Sequence, residues 1–167
     1  MHTMRQERAG DTTAIHDVHR LAFGRTAEAD LVDRLRSSGK LILSLVAEAD
    51  GAVVGHIAFS PVTIESDQGA EMALGLAPVA VLPAWQRKGI GSDVVRRGLE
   101  GVATRRESVV VLGHPAFYGR FGFVPASQFG LRSEYDAGDA FMVRMAEGRE
   151  IAAGGGLVRY APEFQGV

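Results

Sequence analysis

The sequence predicts a mixed α/β fold in a single domain spanning residues 1–167. Three observations carry that reading. Helical and strand-like apolar patterns follow one another in the order α-α-β-β-β-α-β-α-β. An Asp50-Gly51 pair between two dense apolar runs is a strong hairpin signal, so strands adjacent in sequence pair antiparallel. A third apolar run, Met72 to Leu82, passes through a glycine-bearing loop into an amphipathic helix.

Asp11 is placed to cap a first helix whose buried face is Ala14, Val18, Leu21 and Ala22, spaced i, i+4, i+7, i+8. Thr26 caps a second, with Glu28 and Asp30 in its acidic first turn and Leu31, Val32 and Leu35 inward; Gly39 ends it. Leu41–Glu48 and Ala52–Ser60 form the hairpin, and Pro61 ends its second strand or starts a turn. Ser66–Gly69 is a polar connection to the Met72–Leu82 strand, which Pro78 interrupts. The next helix, Ile90 to Ala103, points Val94, Val95, Leu99 and Val102 inward. Its Gly98 and Gly101 each cost about 1 kcal/mol relative to alanine and are explained by close helix–sheet packing. Ser108–Leu112 is a buried strand, Pro115–Arg120 a short helix, and Phe141–Met145 and Gly154–Tyr160 late strands. Gly154-Gly155-Gly156 reads as a turn. No internal repeat or linker interrupts the pattern.

Composition excludes several classes. The absence of cysteine removes disulfides, thiolate nucleophiles, zinc–thiolate sites and iron–sulfur clusters, and is compatible with a cytoplasmic location. A net charge of −2 gives no electrostatic case for nucleic acid or an anionic membrane. No apolar run approaches the roughly 18 residues of a membrane-spanning helix, and Met1–Arg8 has no apolar core of the kind a secretion signal needs. His16 and His19 lie i, i+3 on one helix with no cluster to complete a metal site, so they read as surface residues and no metal is expected. His56 reads as a hydrogen-bonded sheet residue.

The chemistry is concentrated in Pro78–Ser92. Here a strand gives way to a short loop, Gln86-Arg87-Lys88-Gly89-Ile90-Gly91-Ser92, and then a helix. Backbone N–H groups in such a loop form an anion nest, and the helix N-terminus adds about half a positive charge. Gly89 and Gly91 remove Cβ where backbone approaches a bulky anion, and Arg87 and Lys88 add charge at the mouth. The reading is a phosphate or pyrophosphate site. It is not a dinucleotide fingerprint, because Val94 occupies the third glycine position, nor an NTPase loop, because Lys88 precedes its glycine.

Gln86-Arg87-Lys88-Gly89-Ile90-Gly91 resembles the Q/R-x-x-G-x-G/A motif of the GNAT N-acetyltransferase superfamily. The preceding Val79-Ala80-Val81-Leu82-Pro83 and the later Gly113-His114-Pro115-Ala116-Phe117-Tyr118-Gly119-Arg120-Phe121-Gly122-Phe123 resemble family blocks in order and spacing. With Leu45–Glu48, Val54–Ile57 and Gly156–Tyr160 the similarity spans nearly the whole chain, and is greatest to a bacterial branch of predicted acetyltransferases.

The resemblance implies a mixed, mostly antiparallel sheet of six or seven strands, splayed where acetyl-coenzyme A inserts. Pro78 would stand at the splay point. Val79, Ala80 and Val81 would line the pantetheine, and Gln86 to Ser92 would hold the diphosphate. Tyr118, at the family's tyrosine position, would protonate the leaving thiolate. The implied reaction is direct attack of an amine on the thioester in a ternary complex, since no cysteine exists to carry an acyl-enzyme. The acid sometimes found on the splayed strand aligns near Gly75, which cannot act. Glu28 and Glu71 would suit a cationic acceptor, and the general base stays open between Glu71, Glu28 and a water chain. The acceptor is a small-molecule or protein amine, and a homodimer is common in the superfamily. Two alternatives stand beside this reading: a non-catalytic acyl-coenzyme A sensor or interaction module, and a different phosphate-handling enzyme, which the failed motifs disfavour.

Overall fold

The structure is a computed structural model describing residues 1–150 and 154–167. Its strands are β1 (Thr3–Gln6), β2 (Leu43–Ala49), β3 (Ala52–Ser66), β4 (Gly69–Val81), β5 (Val109–Leu112), β6 (Val124–Pro125), β7 (Leu131–Ser133), β8 (Phe141–Arg144) and β9 (Gly156–Tyr160). Its helices are α1 (Thr12–Phe23), α2 (Ala27–Ser37), α3 (Ile90–Val102) and α4 (Pro115–Tyr118). Two compact units form: Met1–Ser60 with Ala77–Val102 and Pro162–Val167, and Pro61–Leu76 with Ala103–Ala161. Among the described residues no helix is long and apolar enough to cross a membrane.

In the first unit β1 and β2 pair antiparallel, as do β2 and β3, whose turn places Asp50 and Gly51 at φ 51° and 75°. The Asp-Gly hairpin is therefore as predicted. α3 lies on this sheet through a glycine seam. A Cβ on Gly98 would stand 2.6 Å from Phe59 Cε2, and one on Gly101 2.7 Å from Leu43 Cδ2. The inward residues Ile90, Val94, Val95, Leu99 and Val102 are buried, and each large apolar side chain so placed contributes roughly 1.5–3 kcal/mol.

α2 buries Leu31, Val32 and Leu35 as its pattern predicts. α1 differs. Its buried residues are Ile15, Val18 and His19, while Leu21 is 49% exposed. The true apolar face lies a residue away from the predicted one, because a buried histidine occupies a position that the apolar count assigned to solvent. Asp11 stands at the N-cap but makes no side-chain cap; its carboxylate accepts from the Arg5 guanidinium and the Arg8 N–H instead.

In the second unit the ladder is mixed. β4 and β5 pair parallel over two positions, Leu74 with Val109 and Gly75 with Val110. β5 and β6 each pair antiparallel with β8, β3 antiparallel with β9, and β7 parallel with β9. A mixed α/β fold with mostly antiparallel pairing is thus present. Pro61 does not end β3, which runs on to Ser66. Its missing N–H removes a single donor, and β9 begins pairing one residue later, at Val62. Nine strands form among the described residues, two or three more than predicted. β1, β6 and β7 are two to four residues long, too short to show a period.

The glycine seam sets a stability test. Gly98→Ala removes a helix-breaking residue, which alone would stabilise by about 1 kcal/mol. Crowding of Phe59 reverses the sign, and a net loss of about 1–3 kcal/mol is expected in urea unfolding. A midpoint at or above wild type would contradict the close packing.

Candidate active site

The loop between β4 and α3 satisfies only its first amides among the described residues. Trp85 and Gln86 N–H groups close a short turn onto Leu82 and Pro83, and Asp93 N–H donates to Gly89 at 3.1 Å, starting the helix. The N–H groups of Arg87, Lys88, Gly89, Ile90 and Gly91 find no acceptor among the described residues. A helix cannot satisfy its own first N–H groups, so these donors are available to an anion. Arg87 and Gly89 adopt left-handed φ of 62° and 84° with Lys88 between them. Alternating left-handed residues turn successive N–H groups toward one point. The positive φ explains glycine at 89. It does not explain glycine at 91, where a Cβ would meet only Val81 Cγ2 at 4.0 Å. The protein itself does not require that cleared space.

The side chains divide the work. Gln86 Nε2 donates to the Val81 carbonyl at 2.9 Å, bracing strand to loop. Lys88 Nζ lies 5.1 Å over the Trp85 ring, and Arg87 and Lys88 are exposed and make no salt bridge among the described residues. Ala80 and Val81 are buried and Val79 partly so; Ser92 lies in the first turn of α3. The first unit therefore gathers the ten residues predicted to bind cofactor at one strand-to-helix junction.

The same unit contains a buried polar chain. His19 Nε2 and His56 Nδ1 are 2.8 Å apart, His56 Nε2 and Ser44 Oγ 2.7 Å, and Ser44 donates to Glu7 Oε1 at 2.9 Å. Arg36 donates to both Glu7 oxygens at 2.8 and 2.7 Å. Burial acts to raise the pKa of Glu7, but the bonds from Arg36 and Ser44 outweigh it and hold it below the usual carboxylate range. Burial lowers His19 to about 4, with the Glu28 carboxylate opposing and His16 adding; burial, His19 and Arg36 push His56 well below its ordinary value. Both imidazoles are neutral at pH 7. The reading of His19 as a surface residue is corrected here; His56 is the hydrogen-bonded residue expected. His16 instead pairs with Asp30 at 3.2 Å, and with Asp33 it forms a group whose ligand atoms lie within 4.8 Å, a cluster the sequence did not reveal. Those three side chains are part-exposed and partner one another.

Glu28 is buried and ion-paired with Arg25. In the second unit Glu71 pairs with Arg149 at 2.9 Å. Both predicted acceptor carboxylates are thus already engaged. Tyr118 packs edge-on to Phe117 and Phe123 and lies so close over Gly113 that no Cβ fits there. Its hydroxyl has no hydrogen-bond partner among the described residues, and burial pushes its pKa up to about 12. Arg120 stacks on Phe117 and Phe121 at 4.9 and 5.3 Å.

A family model described as an acetyltransferase (GNAT) domain matches residues 3–126. The chain belongs to the GNAT acetyltransferase family. It is 37% identical over 158 residues to the uncharacterised N-acetyltransferase YhbS of Escherichia coli K12, covering 92% of this chain and 93% of that one. It is 38% identical over 120 residues to a second relative from that strain, YjhQ, covering 70% of this chain and 66% of YjhQ. The crystal structure of Escherichia coli YhbS with CoA superposes with a TM-score of 0.86 at 34% identity, covering 98% of this chain and 91% of that one. A Brucella melitensis GNAT acetyltransferase with acetyl-CoA gives 0.80 at 36% identity and 98% coverage of each chain.

Within this GNAT chain, Gly75 has a local explanation. A Cβ there would stand 3.0 Å from both Tyr160 Cε1 and Val62 Cγ1, so a side chain at this position would have to push those neighbours aside. The buried chain from Glu7 to His19 was missed because its members are far apart in sequence. Its only local trace is a histidine within an apolar strand.

The two neutral imidazoles contribute to the acid sensitivity. Their native pKa values lie below the unfolded value of about 6.5, so below that pH the unfolded chain takes up protons that the folded one refuses. Stability is full above about pH 6.5 and falls toward pH 4. The melting temperature of His19→Gln, measured from pH 7.5 to 4.5, is expected to decline less steeply than that of wild type. Parallel curves would contradict the assignment.

Proposed function

We propose that the protein transfers the acetyl group of acetyl-coenzyme A to an amine acceptor. The observation that carries this is the row of unpartnered amides from Arg87 to Gly91 at the N-terminus of α3. The diphosphate accepts from these amides and from Ser92, with Arg87 and Lys88 neutralising its charge. Gln86 fixes the loop to the end of β4 through Val81. Gly91 leaves room for the anion, which accounts for a glycine that the protein's own packing does not demand. Val79, Ala80 and Val81 run along the pantetheine and acyl group, and a main-chain N–H of this segment supports the oxyanion.

The amine attacks the thioester carbon in a ternary complex. A C–N bond forms, the C–S bond breaks, and the proton lost from nitrogen balances the one gained by sulfur. Tyr118 is the residue proposed to face that sulfur. With a pKa of about 12 it keeps its proton throughout the neutral range. This is well above the roughly 8.5 of a thiol, so its contribution is a hydrogen bond that strengthens as negative charge builds on sulfur. The acceptor's class is an amine. A second reading, an acyl-coenzyme A-binding module without catalysis, is favoured by the engagement of Glu28 and Glu71 in ion pairs and by a glycine, which carries no acid, at position 75.

A thiol-release assay with acetyl-coenzyme A across an amine panel separates the two. Turnover with at least one amine is expected, falling about 10- to 100-fold in Tyr118→Phe with cofactor affinity unchanged. Thermal stabilisation by acetyl-coenzyme A without thiol release would favour the module. Undiminished turnover would remove Tyr118 from the reaction.

A further inference from the structure

Gly113, at the end of β5, is a glycine that its own backbone does not require. Its φ is not left-handed, so alanine could adopt the same conformation. What excludes a side chain is Tyr118. A Cβ on Gly113 would run into Tyr118 Cε2 and stand 2.7 Å from Cδ2 and 3.3 Å from Cζ. All three of these nearest atoms belong to that one ring. Gly119, one residue past Tyr118, is the contrast: nothing lies within 4 Å of a Cβ added there. Position 113 is thus kept bare for a single aromatic side chain.

Backbone and ring are both held, so relief of that clash falls on the torsions of the tyrosine. The Gly113 N–H donates to the Ala140 carbonyl at 3.0 Å, and the preceding residue, Leu112, is in register with Phe141 on β8. The Phe117 and Tyr118 N–H groups both donate to the His114 carbonyl at 3.0 Å, which closes the α4 turn. The Phe117 ring stands edge-on to Tyr118 with centroids 4.9 Å apart, and the Phe123 ring at 5.7 Å. Phe117 is itself packed against Phe121 at 5.2 Å and under the Arg120 guanidinium at 4.9 Å. A tyrosine ring is rigid, and only χ1 and χ2 move it. With aromatic walls on two sides and backbone on a third, an added methyl turns the ring and carries the hydroxyl with it.

We propose that Gly113 is a positioning residue for the acetyl transfer: by carrying no side chain it lets the Tyr118 ring lie against the end of β5, and so fixes where the phenol hydroxyl meets the leaving sulfur. This rests on the acetyl-transfer reading above. The step it serves is the breaking of the C–S bond, when the bonding pair passes to sulfur and the hydroxyl donates to the growing charge. A hydrogen bond of that kind depends on distance and direction, and a misplacement of about 1 Å costs on the order of 100-fold in rate. Gly113 acts through Tyr118 alone.

Two double-mutant cycles test it. The first needs no activity. Urea unfolding of Gly113→Ala is measured in the wild-type background and in Tyr118→Ala. The substitution is expected to lower the midpoint in wild type and to leave it unchanged where the ring is gone. An equal loss in both backgrounds, or none in wild type, overturns the proposal. The second cycle follows thiol release from acetyl-coenzyme A, with the amine turned over fastest, in Gly113→Ala, Tyr118→Phe and the double variant, each shown to be folded by circular dichroism. Gly113→Ala is expected to lower kcat about 10- to 100-fold with KM for acetyl-coenzyme A unchanged. The double variant should be no slower than Tyr118→Phe alone, because a displaced phenyl ring has no hydroxyl to misplace. A wild-type kcat in folded Gly113→Ala, or losses that multiply in the double variant, overturns the positioning role. Absence of thiol release by wild type with every amine sinks the acetyl-transfer reading and this role with it, while the unfolding cycle still reports whether Tyr118 lies against Gly113.

Discussion

A helix cannot bond its own first amides, and the design of the first unit follows from that constraint. The loop before α3 makes the surplus larger, because Arg87 and Gly89 turn additional N–H groups away from protein acceptors. Holding such a cluster in place needs a rigid base. That base is the glycine seam at Gly98 and Gly101, which seats α3 on β2 and β3, together with the Gln86 side chain, which ties the loop to Val81. Packing, capping and the proposed chemistry are thus successive consequences of one arrangement of backbone donors.

A second polar feature lies in the same unit. Two imidazoles, a hydroxyl and a carboxylate are arranged so that every bond but one is satisfied. Such chains are costly when incomplete. Among the described residues the single open position is His19 Nδ1. The first unit thus holds, among those residues, unpartnered donors at the start of α3 and an unpartnered ring nitrogen on α1.

Much of this was legible in the sequence. The Asp50-Gly51 turn, the inner faces of α2 and α3 and the strand-to-helix loop follow from local chemistry, and local chemistry is what a sequence displays. The failures have a common physical origin. The face of α1 was misread because His19 is buried by a partner 37 positions away, and no window of residues contains both. Pro61 signals a strand end or a turn when the loss of one N–H is weighed locally, whereas its neighbours are held by β9. The short β1, β6 and β7 exist through pairing alone. At the site, Gly89 is explained by its own φ, whereas the engagement of Glu28 and Glu71 by arginines needed three dimensions.

The central claim is that the amides of Arg87 to Gly91 bind a diphosphate. Titration of nitrogen-15-labelled protein with coenzyme A, followed by amide resonances, addresses it most directly. The account predicts large shifts confined mainly to these amides and the start of α3, and none at the loop with pantetheine, which lacks the diphosphate. Saturable coenzyme A binding that leaves the loop amides unmoved would contradict it.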